Sequence, residues 1–267
     1  MAGTIKWSDD HEFELDGVTY RSMGGRTEPS QMVLLKTPPM VEGYASLIAE
    51  LAPQRILELG IYSGGSTALL AQLARPEKLV AVDIMDGCAP LEQFIHDHDL
   101  GDVVAPYYGV DQADGERLQQ VLAAEFGGRP LDLVVDDASH RADATRASFN
   151  RLFPHLHPGG AYLIEDWSWA HHRVAHPERT YHAVEPLSAF VCELVLASAC
   201  RPRVIAEVRV HEHWALVRRG IADLDPEVFD LKANFDSVGR EMVERLQQVR
   251  SLGAGGSAEV LTRWRSP

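Results

Sequence analysis

Two runs of the sequence end in acid: Leu131-Asp132-Leu133-Val134-Val135-Asp136-Asp137 and Gly160-Ala161-Tyr162-Leu163-Ile164-Glu165-Asp166, with His140 shortly after the first. Both runs read as buried strands. Carboxylates and an imidazole gathered at the ends of neighbouring buried strands are costly unless a cation, a proton or a polar substrate binds among them. A second stretch with chemical potential is Glu58-Leu59-Gly60-Ile61-Tyr62-Ser63-Gly64-Gly65-Ser66. It follows a predicted strand and opens a helix, a place where glycine lets backbone approach a ligand and free amides face it. Its spacing is neither the Gly-x-Gly-x-x-Gly of a dinucleotide site nor a phosphate-binding loop with its lysine. Asp83, at the end of the next strand, stands where a nucleoside-binding sheet accepts hydrogen bonds from two ribose hydroxyls.

The elements that must hold these residues alternate. Met40 to Leu51 carries Tyr44, Leu47, Ile48 and Leu51 at helical spacing and is stopped by Pro53. Strands follow at Arg55 to Gly60, Lys78 to Ile84, Val103 to Gly109 and in the two acid-tipped runs, with helices between them. This pattern predicts an α/β fold: a Rossmann-like, doubly wound sheet, mostly parallel, with helices on both faces and right-handed crossovers. Ligands then bind beyond the carboxyl ends of the strands, where every polar cluster named above lies. The runs Arg203 to Val210 and Trp214 to Arg219 are joined by so short a connection that they must pair antiparallel, adding one antiparallel strand at the edge.

Flanking segments extend this unit. Glu12 to Leu15 and Val18 to Arg21 flank Asp16-Gly17, a strong hairpin signal. Ser22 to Pro39, including Lys36-Thr37-Pro38-Pro39, reads as an irregular cap. The segment after Trp169 reads as a surface loop over the site. Trp167, Trp169, Tyr181, His171, His172, His176 and His182 would line an acceptor pocket there or simply belong to the loop. The tail carries Val238, Met242, Leu246, Val249 and Leu252 on one helical face, to pack on its own domain or on a partner copy. The expected organisation is a hairpin and cap over residues 1–39, a core domain over 40–220 and a helical extension over 221–267.

A formal net charge of −14 argues against nucleic acid as partner, since that binding is driven by basic side chains. Cys88, Cys192 and Cys200 match no metal-ligand pattern and predict reduced thiols. Neither a secretion signal nor a membrane-spanning run is visible, so a soluble cytoplasmic protein is expected, without a membrane partner.

The acid-x-Gly-x-x-x-Gly turn with Asp83 and the strand count resemble the class I S-adenosylmethionine-dependent methyltransferases, over roughly Arg55 to Arg219. The segment Asp136-Asp137-Ala138-Ser139-His140, with the later Glu165-Asp166, is more closely similar to the macrolide-sugar O-methyltransferases of macrocin and mycinamicin biosynthesis and the related cephalosporin hydroxylase-like group. That resemblance implies a magnesium ion held by Asp137, Glu165 and Asp166, and His140 as general base. It implies cofactor binding by Glu58, Gly60, Tyr62, Ser63, Gly64, Ser66, Asp83, Asp111 and Asp136. Three oxygen donors suit Mg2+, which acidifies a nearby hydroxyl whose proton a neutral histidine takes. The residues also allow blander roles: Asp136 as a helix cap, His140 as a helix-start histidine, and Asp111 and Gln112 as the start of a helix rather than adenine contacts. The implied activity is Mg2+-dependent methyl transfer from S-adenosyl-L-methionine to a sugar or polyketide hydroxyl of a natural product, and the implied assembly is a homo-oligomer. The competing functions are a non-methylating enzyme of the same fold and a noncatalytic binding protein.

Overall fold

The computed structural model describes residues 4–24, 31–171 and 185–234. Its central sheet has seven strands: β5 (Arg55–Leu59), β6 (Lys78–Val82), β7 (Val104–Tyr107), β8 (Leu131–Asp136), β9 (Leu156–Glu165), β10 (Ile205–Val210) and β11 (Trp214–Arg219). They lie in the order β10-β11-β9-β8-β5-β6-β7. From β9 to β7 neighbours run parallel, while β11 is antiparallel to both β9 and β10. The one antiparallel strand therefore lies one place in from the edge, because the short connection after β10 sends the chain back between β10 and β9. The chain leaves β5 toward β6 on one side and returns to β8 on the other, so the crevice at the carboxyl ends of β5 and β8 is the topological switch point.

Strand parity divides the core into two layers. Ile56, Leu133, Val135, Ala161 and Leu163 point to one face of the sheet; Leu57, Leu59, Val134, Tyr162 and Ile164 point to the other. The first face is covered by α1 (Pro38–Leu51), α2 (Gly65–Ala74) and α3 (Ala89–Asp97). The second is covered by α4 (Gly115–Phe126), α5 (Ala142–Leu152) and α6 (Leu187–Cys200). Helix α1 starts two residues earlier than its apolar period suggests, because Pro38 and Pro39 suit a first turn whose amides need no partner.

The amino-terminal segment is more ordered than its composition suggests. β1 (Lys6–Trp7), β2 (Glu12–Leu15), β3 (Val18–Ser22) and β4 (Gln31–Leu34) form a second sheet. The β2–β3 hairpin turns on Asp16 and Gly17, both at positive φ, as its sequence predicts. β4 adds parallel to β3, which makes Gln31–Leu34 of the expected irregular cap a strand. The small sheet shares the first core layer: Phe13 stacks on Tyr20 at 4.9 Å, and the Tyr20 hydroxyl donates to Gln72 of α2 at 2.6 Å. The predicted apolar stripe from Val238 to Leu252 lies outside the described residues, as do His172, His176, Tyr181 and His182. Among the described residues, no helix is long and apolar enough to cross a membrane.

Candidate active site

The glycine turn is built by contacts that only glycine permits. A side chain on Gly60, at φ +98°, would meet the Asp137 carbonyl oxygen at 2.2 Å. The turn therefore lies flush against the end of β8, where the Asp137 amide donates to the Leu59 carbonyl at 2.9 Å. Gly65 is required for another reason: its missing side chain leaves room for the Val33 carbonyl of β4, which would otherwise stand 2.1 Å away. Ser63 Oγ donates to the same carbonyl at 3.1 Å. The turn is thus clamped between the central sheet and the amino-terminal one. Asp83 closes the clamp. Its Oδ2 accepts from the Ile61 and Tyr62 amides at 2.6 and 2.9 Å, and its Oδ1 accepts from the Met85 amide at 2.9 Å. Oδ2 thereby fills both of its lone pairs, and Oδ1 keeps one for a ligand hydroxyl.

Two lobes of one cleft meet above this turn. The first, about 270 Å3, is lined by Gly60, Tyr62 and Asp83 from one side and by Asp111, Gln112 and Asp137 from the other. The second, about 170 Å3, is lined by Leu35, Lys36, Ser63, Ser66, His140 and Trp169 among others. Gly60, Tyr62, Asp137 and Ala138 belong to both. Of the residues the resemblance assigns to the cofactor, Gly60, Tyr62, Ser63, Ser66, Asp83 and Asp111 line the cleft. Glu58, Gly64 and Asp136 do not.

Parity explains two of these departures. Glu58 follows Ile56 onto the first face, where it is buried and accepts from Thr67 Oγ1 at 2.5 Å. Burial pushes its pKa up to about 7. Asp136 follows Val134 onto the second face, where Tyr162, Ser148 and Gln112 donate to it at 2.9, 3.1 and 3.1 Å. Burial raises it to about 6 against those hydrogen bonds. Gln112 is consumed in the same network, since its Oε1 accepts from the Ser139 amide at 2.8 Å. It braces the β8 loop from the wall of the first lobe. Gly64 stands at φ +81° with a side-chain position 2.7 Å from Leu91 Cβ, so it serves the packing of α3.

The acid cluster forms at the floor of the second lobe. Asp137, His140 and Asp166 each offer one ligand atom, all within 4.8 Å of one another; among the described residues this is the group that could hold a metal ion. His140 Nε2 lies 4.0 Å from Asp137 Oδ1 and 3.8 Å from Asp166 Oδ2, and its ring packs on Trp169 with centroids 4.5 Å apart. Burial lowers the His140 pKa, which favours the neutral imidazole. Burial, then Asp137 and Glu165, push Asp166 up to about 8.

Glu165 is engaged differently from the other acids. It lies on the first face by parity, where Lys36 Nζ donates to both of its oxygens at 2.7 Å and the Tyr44 hydroxyl donates to Oε1. Lys36 also bonds Asp137 Oδ2 at 2.9 Å. Burial works against the Lys36 charge, but Asp137 and Glu165 outweigh it and raise its pKa. Lys36 and Tyr44 are the residues sequence reasoning missed. The one signal was a lysine at the end of the apolar run Met32-Val33-Leu34-Leu35.

Backbone strain marks the same place. Among the described residues, several non-glycine residues at positive φ close helices or turn a hairpin, but Tyr62, His140 and Asp166, at φ 48°, 54° and 54°, all line the second lobe. Of the aromatic and histidine candidates that follow, Trp169 lines the cleft. The Trp167 indole instead donates to the His211 carbonyl at 2.8 Å, and His171 Nε2 pairs with Ser188 Oγ at 2.7 Å.

Comparison with known proteins gives this cleft a family context. Residues 57–167 match the family model described as a methyltransferase domain. The chain is 38% identical over 119 residues to demethylmacrocin O-methyltransferase of Streptomyces fradiae, covering 42% of this chain and 27% of that protein. It is 32% identical over 168 residues to an 8-demethyl-8-alpha-L-rhamnosyl tetracenomycin-C 2'-O-methyltransferase of Streptomyces olivaceus, covering 58% and 41%. The chain thus spans less than half the length of these curated relatives. Among solved structures it resembles MycE, a methyltransferase of the mycinamycin biosynthetic pathway captured with Mg, SAH and mycinamycin VI. That match has a TM-score of 0.51 and 27% identity over 67% of this chain and 49% of that one.

Proposed function

We propose, from the premise that this chain carries a methyltransferase domain of the class I, S-adenosylmethionine-dependent O-methyltransferase type, that it transfers a methyl group from S-adenosyl-L-methionine to a hydroxyl of a natural product, a sugar or polyketide hydroxyl, with the help of a divalent metal ion. The single observation that carries this reading is that Asp137 and Gly60 line both lobes, so a nucleoside held beside Asp83 and an acceptor held beside His140 meet at one wall.

The cofactor fits the first lobe. Asp83 retains acceptor capacity there, Gly60 brings backbone to the ligand without a side chain, and the exposed Ile84 and Met85 offer apolar cover for a base. S-adenosyl-L-methionine supplies a sulfonium-activated methyl. The acid cluster fits a cation on charge alone. Asp137, Glu165 and Asp166 against Lys36 leave two negative charges when all are ionised (three minus one), which a divalent ion balances. Asp137 and Asp166 would hold the ion, and hard carboxylate oxygens suit Mg2+. When bound, such an ion lowers the pKa of an adjacent hydroxyl.

His140 completes the chemistry as base. Its neutral imidazole, kept so by burial, takes the hydroxyl proton while the acceptor oxygen forms its bond to the methyl carbon and the carbon–sulfur bond breaks, leaving S-adenosylhomocysteine. Asp137 and Asp166 hold that proton on the imidazole electrostatically. Trp169 fixes the ring plane and presents an aromatic face to the acceptor. Much of the acceleration comes from holding donor and acceptor in line. The amino-terminal segment acts as a wall of the acceptor lobe through Leu35 and Lys36.

The test is direct. Purified protein is given the cofactor, Mg2+ and a panel of glycosylated macrolides and polyketides, and products are read by mass spectrometry. The expected result is the gain of one methyl by an acceptor with stoichiometric S-adenosylhomocysteine, abolished by chelator and restored by Mg2+. Full turnover in chelator, with no metal found in the protein, would overturn the metal-assisted reading.

A further inference from the structure

We infer that Lys36 is an internal counter-ion that sets the charge and the ligand number of the metal site: it withdraws Glu165 from the ligand set and leaves Asp137 and Asp166 to hold a single ion. This inference rests on the reading of the acid cluster as a metal site.

The geometry is that of a built pair. The Lys36 ammonium is 2.9 Å from Asp137 Oδ2 and 2.7 Å from each oxygen of Glu165, and both Lys36 and Glu165 are almost fully buried. A buried lysine is tolerated only where its charge is matched, and here it has two carboxylates. Its backbone is anchored as well, since the buried Ser22 hydroxyl donates to the Lys36 carbonyl at 2.5 Å. The ammonium is therefore delivered from the amino-terminal sheet to a fixed point. Glu165 has spent both oxygens on it and receives the Tyr44 hydroxyl besides. Asp137 is shared: Oδ2 faces the lysine, while Oδ1 faces His140. One oxygen belongs to the internal salt bridge, and the other belongs to the metal group with Asp166.

Two consequences follow. Lys36 and Glu165 together are neutral, so the ion responds to the charge of Asp137 and Asp166 alone. The amino-terminal sheet also controls metal affinity although it supplies no ligand atom. A lysine that only filled space would have neither effect.

The experiment measures Mn2+ binding by electron paramagnetic resonance, using the full chain saturated with S-adenosylhomocysteine. Lys36→Met exposes Glu165 to the ion and should tighten Mn2+ binding by about tenfold or more, because a positive charge close to the site is removed. The double variant Lys36→Met/Glu165→Gln removes a neutral pair and should bind within about threefold of the wild type, as removal of both partners of a matched pair predicts. That variant keeps the test decisive if Lys36→Met does not fold, because it removes both of the almost fully buried charges together. The inference is overturned if the folded Lys36→Met chain binds Mn2+ no tighter than wild type, or if the double variant loses Mn2+, which would make Glu165 a required ligand. Mn2+ binding by Lys36→Met but not by wild type would uphold Lys36 as the counter-ion and overturn the metal-assisted reading instead. No Mn2+ binding by any of the three chains would overturn both.

Discussion

Asp136 and Asp137 are adjacent in sequence and opposite in chemistry. Asp136 is buried on one face of the sheet and is satisfied by the neutral donors Tyr162, Ser148 and Gln112, with no cation paired to it among the described residues. Asp137, one residue on, has left the strand; it shares the Lys36 ammonium with Glu165 and a lobe of the cleft with Asp166, and among the described residues these carboxylates outnumber that ammonium. A buried acid whose lone pairs are filled by hydroxyls and amides asks for nothing further; its job is to hold Tyr162, α5 and the β8 loop in place. A group of acids whose charges exceed those of their partners holds a standing demand for a cation. The distinction between a brace and a binding group thus lies in the charge of the neighbours, and burial alone does not draw it.

Substitutions should separate the two roles. The largest effect is expected from Asp137→Ala, which removes the oxygens shared by Lys36 and the metal group: kcat/KM should fall on the order of a thousandfold, a loss of several kcal/mol of transition-state stabilisation. Isothermal titration should show metal binding lost and cofactor binding kept. His140→Ala comes next, with kcat lower by on the order of 10²–10⁴ and metal and cofactor affinities little changed, as a lost proton acceptor requires. Unchanged turnover would remove His140 from the chemistry. Asp136→Leu should do the reverse. It strands three buried donors and should lower the unfolding free energy by about 1–3 kcal/mol in denaturant titration, while metal binding by the folded protein persists. If Asp136→Leu abolished metal binding and left stability intact, the contrast between the neighbours would be wrong.

The sequence made the sheet and its switch point legible because α/β alternation, the glycine turn and the acid-tipped strands are local patterns, and each reports its own element. It placed Asp83, Asp137, His140 and Asp166 at one end of the sheet for the same reason. It did not separate Asp136 from Asp137, although the information was present. Counting by twos from Val134 sends Asp136 to the face shared with Tyr162, and counting from Leu163 sends Glu165 to the face shared with Tyr44. Lys36 was invisible for a deeper reason. Its partners lie 101 and 129 residues away, and the strand that delivers it, β4, forms only by adding to a hairpin and docking against Gly65.

Glu58 provides the finest test of what separates a brace from a binding group, because it stands before the glycine turn yet touches no ligand lobe. Burial moves its pKa from the ordinary 4.5 to about 7. The folded state therefore holds this proton more tightly than the unfolded chain does. The stability this provides is fully present below pH 4.5 and is lost as pH rises through about 7, where folding must bury an ionised carboxylate. Glu58→Gln keeps an acceptor for Thr67 and has no proton to lose. Subtracting the wild-type stability curve from that of the variant should give a difference that climbs between pH 4.5 and 7 and levels off above. The plateau should be on the order of 3 kcal/mol in favour of the variant, following the free-energy equivalent of the pKa shift. Cofactor affinity should stay near that of wild type. A flat difference curve, or a cofactor affinity that collapses with the carboxylate, would mean that Glu58 meets the ligand after all and that the acid before the first glycine belongs with Asp83 instead of Asp136.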